Sequence, residues 1–184
     1  MNKQINVVLS IIVFATLTRV AIPPFFGHLP NFSALDALAL FCGAFCSRRS
    51  SAIALAVVSV WLGDLLITKS FTGQWTMFYE GCFWQYGCYA LITLLGSRTQ
   101  RTCTGYIVPL MALTSAVLYF VISNFGVWFS GILYPQTLDG LIACYVAAIP
   151  FFKNSLVSDL VFSGVLFGAM QLQKSRAILK RRQT

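Results

Sequence analysis

The sequence predicts an all-α integral membrane protein: a bundle of six transmembrane helices with one short extra helix at the outer face. Three observations predict it. Apolar residues make up 58% of the chain and charged residues 10%, where soluble domains carry roughly 25% charged residues. The mean hydropathy is +0.77. The apolar residues also fall into runs that approach the about 20 residues a spanning helix needs, and the basic residues gather at the ends of those runs. The runs lie at about 5–22, 33–47, 51–68, 81–96, 105–122 and 154–173, so the 184 residues form a single membrane domain with no room for a soluble one.

The positions of the basic residues orient this bundle. Lys3, Arg48, Arg49, Arg98, Arg101, Lys174, Arg176, Lys180, Arg181 and Arg182 all fall on one side if six spans alternate, leaving Lys69 and Lys153 in outer loops. Cytoplasmic loops carry the excess of Lys and Arg, so both termini are expected in the cytoplasm of a bacterial inner (plasma) membrane. The net charge of +8 is therefore a topology signal and not a nucleic-acid footprint. The five carboxylates, Asp36, Asp64, Glu80, Asp139 and Asp159, lie at or near the outer ends of spans or in outer loops.

The first run, "INVVLSIIVFATL", follows Lys3 but leads to Thr18, Arg19 and Pro23-Pro24 with no small-x-small cleavage site, and reads as an uncleaved helix. Arg19 sits near its outer end, where it either snorkels to the interface or pairs with Asp36 or Asp159. In the second run Ser33 and Asp36 have the spacing of a capping box, which would set Asp36 against the helix's positive end. Asn31 precedes Asp36 by five residues, as Asn154 precedes Asp159, although the likeness is too small to imply duplication. The third run carries Ala52, Ala56, Ser59 and Gly63, a small-residue stripe that admits close helix packing. Cys42 and Cys46 share a helical face and read as packing, and Cys82 and Cys88 are six apart and do not face each other within a helix.

Residues 138–152 are set apart from the six spans. "GLIACYVAAIPFF" has thirteen residues, ends near Pro150 and is flanked by Asp139 and Lys153. A run of that length reads as an interfacial or re-entrant helix, here a lid packed over the outer face. The outer side is also rich in rings: Phe25, Phe26, Trp75, Phe78, Tyr79, Phe83, Trp84, Tyr86, Trp128, Phe129 and Tyr134. The inner loops "SRRSS" and "SRTQRTCT" have none. An interfacial belt should mark both interfaces, so the asymmetry favours an outer vestibule. Asn124, Trp128, Tyr134, Asp139, Asn154 and Asp159 can converge there as a substrate-binding set. The two rings would supply surface, the asparagines hydrogen bonds, and Asp159 a polar anchor.

Catalytic signals are sparse. His28 is the one histidine, so paired-His metal sites and HExxH are absent. No P-loop or GxGxxG occurs. The expectation is a protein that is not an enzyme, with no catalytic residues, no metal and no cofactor, and with Asp64, Asp139 or Asp159 as the residues an embedded enzyme would use.

The strings "PNFSALDALALFCGAF", "NFGVWF", "YPQTLDGL" and "CYVAAIPFFKNSLVSDLVFSGVLFG" resemble an uncharacterised family of small bacterial inner-membrane proteins, itself similar to the S-components of energy-coupling-factor (ECF) transporters. That resemblance implies capture of a small-molecule substrate at the outer face for uptake. It also implies a coupling membrane subunit and two ATPases as partners in the lipid bilayer, with no nucleic acid. The alternative function is a structural or accessory membrane protein that assembles through the small-residue stripe of the third helix.

The orientation predicts that a single cysteine at position 136, in a background cleared of native cysteines, reacts with an impermeant thiol reagent in intact cells. Labelling only after permeabilisation would reverse the topology.

Overall fold

The structure, a computed structural model, describes residues 10, 13–14, 16–19, 31–98 and 105–182, with 174 and 176–182 as backbone only apart from Ser175. The described residues are helical with no strand. Helix α1 is described at 10, 13–14 and 16–19. It is followed by α2 (Leu35–Phe45), α3 (Arg49–Thr72), α4 (Cys82–Ser97), α5 (Ile107–Ser130) and α6 (Leu138–Arg182). Lys3, Pro23, Pro24, Phe25, Phe26, His28 and Arg101 lie outside the described residues.

Three helices are long and apolar enough to cross a membrane: Arg49–Thr72, Ile107–Ser130 and Leu138–Gln173. Six full spans are not what the described residues show. The second run is an 11-residue helix, about 16 Å long at 1.5 Å per residue, against a bilayer core of about 30 Å. The fourth has 16 residues. Helix α2 is short because it is interior. It packs against α3, α4, α5 and α6, and nine of its residues, from Leu35 to Ala44, are buried.

Glycines allow this enclosure on the α4 side. A Cβ on Gly43 would collide with the Thr93 carbonyl oxygen, and one on Gly96 with the Leu40 carbonyl oxygen. The backbones of α2 and α4 are in direct contact there, a separation only glycine permits. Leu38, Leu40, Tyr89 and Ile92 fill the surrounding core. The stripe on α3 serves the same purpose: Ala52, Ala56, Ser59 and Gly63 are all buried within the chain, so the feature that suggested an assembly face is spent on internal packing.

The separate outer helix expected at 138–152 is corrected by the structure. Residues 138–182 form one continuous 45-residue helix with Pro150 inside it. Pro150 and Lys153, read from sequence as a boundary, are three residues apart and both exposed. Proline removes one intrahelical donor, but α5 holds the helix on the other side. Tyr145 Oη donates to the Val121 carbonyl at 2.7 Å, Cys144 Sγ approaches the Asn124 carbonyl at 3.4 Å, and Phe120 packs on Phe152 with ring centroids 4.9 Å apart. Residues 138–152 are one arm of an α5–α6 hairpin. Lys153 is accordingly in a helix and not in an outer loop.

The glycine contacts give a paired expectation. Gly43→Ala or Gly96→Ala should cost about 1 to 3 kcal/mol through overpacking. Gly87→Ala, where an added Cβ meets nothing within 4 Å, should leave stability unchanged or raise it by about 0.5 to 1 kcal/mol. Thermal unfolding in detergent measures all three.

Candidate functional site

Two polar features lie inside the apolar bundle. The first is an ion pair between Arg19 of α1 and Asp64 of α3. The sequence pointed to Asp36, Asp159 or the interface as the resting place of Arg19, and the structure corrects this. Gly63, next to Asp64, leaves the space through which the guanidinium reaches its partner: a Cβ there would lie 2.7 Å from Arg19 Cδ. An unpaired charge in a membrane interior is costly and faces inward or finds a partner.

The pair is tied to the next helix. Gln85 Nε2 donates to Asp64 Oδ2 at 3.3 Å and Oδ1 at 3.4 Å. The Tyr79 hydroxyl donates to Gln85 Oε1 at 2.7 Å. Tyr79 sits in the loop before α4, where burial first, and then the neighbouring Asp64 charge, push its phenol well up. It therefore stays a donor at any physiological pH.

The second feature is the Asp36 carboxyl, which lies within hydrogen-bonding reach of the Asp159 carboxyl on α6 and the Tyr89 hydroxyl on α4. The capping-box expectation fails here. Helix α2 starts at Leu35 without a side-chain cap, and the Ala34 N–H donates instead to Thr18 Oγ1 of α1 at 3.5 Å. Asp36 is thereby free to turn inward, and it is 5% exposed. The two Asn-x4-Asp stretches meet in space through their aspartates.

Above both features lies a cavity of about 450 Å³ between the α4, α5 and α6 segments. Trp84, Tyr119, Phe120, Phe151 and Phe152 supply aromatic wall, and Asn31, Tyr79, Gln85, Ser123, Asn124 and Ser155 supply polar groups. Among the described lining residues Glu80 is the one that carries a charge. Asn31 at the rim has φ +63°, a left-handed conformation that asparagine tolerates better than most residues.

Of the six residues expected to converge, Asn124 lines this cavity, with its Nδ2 donating to the Phe120 carbonyl at 2.7 Å. Trp128 lies beside it in another role: its indole N–H is shared by the Pro135 and Thr137 carbonyls, each at 3.1 Å, which closes the α5–α6 turn. Tyr134 is half-buried in that turn, and Asp139 is exposed in the first turn of α6. Asn154 is half-buried next to the cavity-lining Ser155. Asp159 lies one turn further along α6, below the lining.

Sequence reasoning missed Gln85, Tyr89 and Ser155. Gln85, Tyr89 and Thr93 are spaced by four along α4, a polar face on a mostly apolar helix, and that spacing was the available signal. Among the described residues no group of three or more His, Cys, Asp or Glu side chains is placed to hold a metal ion.

Comparison with known families decides the chain's place. Residues 1–181 match the family described as "Family of unknown function (DUF6580)". The chain belongs to the DUF6580 family. Neither the curated proteins nor the solved structures give a match. For this DUF6580 protein the cavity and the buried polar groups are thus the guide to function.

Because Arg19 and Asp64 neutralise each other in a dry setting, removing either should cost about 3 to 5 kcal/mol. Arg19→Ala with Asp64→Ala together should lose clearly less than the sum of the single losses, whereas Arg19→Ala with Asp139→Ala should be additive. Unfolding of the two double variants and of the three single variants Arg19→Ala, Asp64→Ala and Asp139→Ala in detergent measures the coupling.

Proposed function

We propose that this DUF6580 protein is a membrane-embedded small-solute-binding protein that works in uptake, with its site at the outer face of a bacterial inner membrane and both termini in the cytoplasm. The observation that carries the reading is the cavity. Ligand pockets typically enclose about 300 to 1,000 Å³, with mostly apolar walls and a few convergent polar groups. At about 450 Å³, with aromatic walls and the amide of Gln85 anchored on Asp64, this cavity has that character. The anchoring supports specificity, because an amide held from behind by a carboxylate presents a fixed face to a solute.

The position of the cavity supports the outer side. It opens near the loops at 73–81 and 131–137, the side opposite Arg48, Arg49 and Arg98. Pro150 lies within the α6 stretch whose Ala148, Phe151, Phe152 and Ser155 line the wall. Energy for uptake would come from a coupling membrane subunit and ATPases, in the manner of an ECF S-component, a step supported by the resemblance described above.

Native mass spectrometry of gently purified protein should reveal a retained small molecule. Val127→Trp, which fills the cavity from its lining, should abolish the retained mass while leaving the unfolding temperature unchanged. Gln85→Leu should weaken rebinding by about ten- to a hundredfold, the usual cost of about 1 to 3 kcal/mol for removing a buried polar partner. An empty parent protein, or retention unaffected by Val127→Trp, would count against a solute site.

A further inference from the structure

We propose that Asp36 and Asp159 hold a single proton between them, making the centre of the bundle a proton-binding site. The geometry requires one. The two carboxyl groups lie within hydrogen-bonding reach, yet carboxylates only accept. If both were ionised, the contact would be repulsive and would have no donor. Asp159 Oδ2 is buried with no donor among its neighbours, and so is Ser163 Oγ one turn further on. Asp159 is 1% exposed and Ser163 0%. One proton on the pair turns the repulsive contact into a charge-assisted hydrogen bond, the arrangement that two carboxyls sharing a site adopt.

The surroundings hold one negative charge and no more. On either side of the pair the contact with α6 is aromatic, with Phe32, just before α2, on Phe162 at 5.8 Å and Phe41 of α2 on Phe167 at 5.5 Å between centroids. Among the described residues, the charged or titratable groups facing the pair are Arg19 of α1, Tyr89 and Cys88 of α4, and Tyr119 of α5. Asp64 of α3 lies beyond Arg19 and neutralises it. The Tyr89 hydroxyl lies within reach of Asp36, and Arg19 adds residual positive field. Among the described residues a second ionised carboxylate would have no counter-charge.

Aromatic rings lie between the pair and the cavity. Tyr119 lines the cavity, its ring lies 5.6 Å from that of Tyr89, and Tyr89 reaches Asp36. The proton site stands whether or not the cavity above it takes a solute.

Infrared spectra of the full chain in lipid nanodiscs test this directly. At neutral pH the parent should show a protonated-carboxyl C=O band that shifts in D2O. The neutral, isosteric Asp36→Asn/Asp159→Asn double variant should fold and lack the band, and each single Asn variant should shift or remove it. Glu80→Gln and Asp139→Asn should leave it unchanged. If the double variant does not accumulate, the two single variants decide, because a band untouched by both does not belong to this pair. Absence of the band in the parent, or its persistence in the double variant, overturns the proposal. A parent lacking the band but stabilised saturably by Na+ would make the site one for a metal cation instead.

Discussion

A guanidinium enclosed by apolar helices has to be neutralised where it sits, and the rest of this bundle is arranged around that requirement. Arg19 lies on the first helix and its partner Asp64 on the third, so the ion pair joins elements 45 residues apart in sequence. Gly63 opens the approach. Gln85 then spends its amide on Asp64 and its carbonyl on Tyr79, which fixes the start of α4 against α3. Breaking such a pair from one side leaves an uncompensated charge, which is why it organises its neighbours more strongly than an apolar contact of the same area. Its geometry also reaches the cavity wall, since Tyr79 and Gln85 belong to both.

The second organising feature is an interior helix too short to cross the membrane alone. Helix α2 is covered by four others, and its close approach to α4 depends on reciprocal contacts at Gly43 and Gly96. Among lipid tails there is little hydrophobic gain from helix association, so close van der Waals packing and polar contacts supply the attraction. Packing α2 among four helices also leaves Asp36 only 5% exposed. The carboxyl pair with Asp159 and the solute cavity above it are thus consequences of one packing arrangement: α2 fills the lower centre of the bundle, and the cavity is the space above it between α4, α5 and α6.

Much of this was legible in the sequence, and the failures share one cause. Helical segments show in the apolar runs, and the need of Arg19 for a partner follows from its surroundings. The choice of Asp64 over Asp36 or Asp159 depends on which helix lies beside α1, a non-local fact. Asn124 lines the cavity, whereas Trp128 closes the α5–α6 turn. An indole at the end of a helix has the same local sequence in either role. Pro150 and Lys153 looked like a boundary because proline removes a donor and lysine seeks water. Both needs are met on the exposed face of a helix held by α5.

By itself the sequence determined that this chain is helical, apolar and suited to a membrane, because hydropathy and basic clustering are properties summed over neighbouring residues. It also determined that a few charged groups must be satisfied inside, because burial in an apolar medium penalises a charge wherever it falls. Only the tertiary structure decided which partners meet: Arg19 with Asp64, Asp36 with Asp159, and Gly43 with the backbone of α4. It also decided that α2 lies inside the bundle and that residues 138–152 continue into α6. These are outcomes of helix packing, where distances of an ångström at a glycine or a carboxylate select one arrangement among many with the same hydropathy pattern.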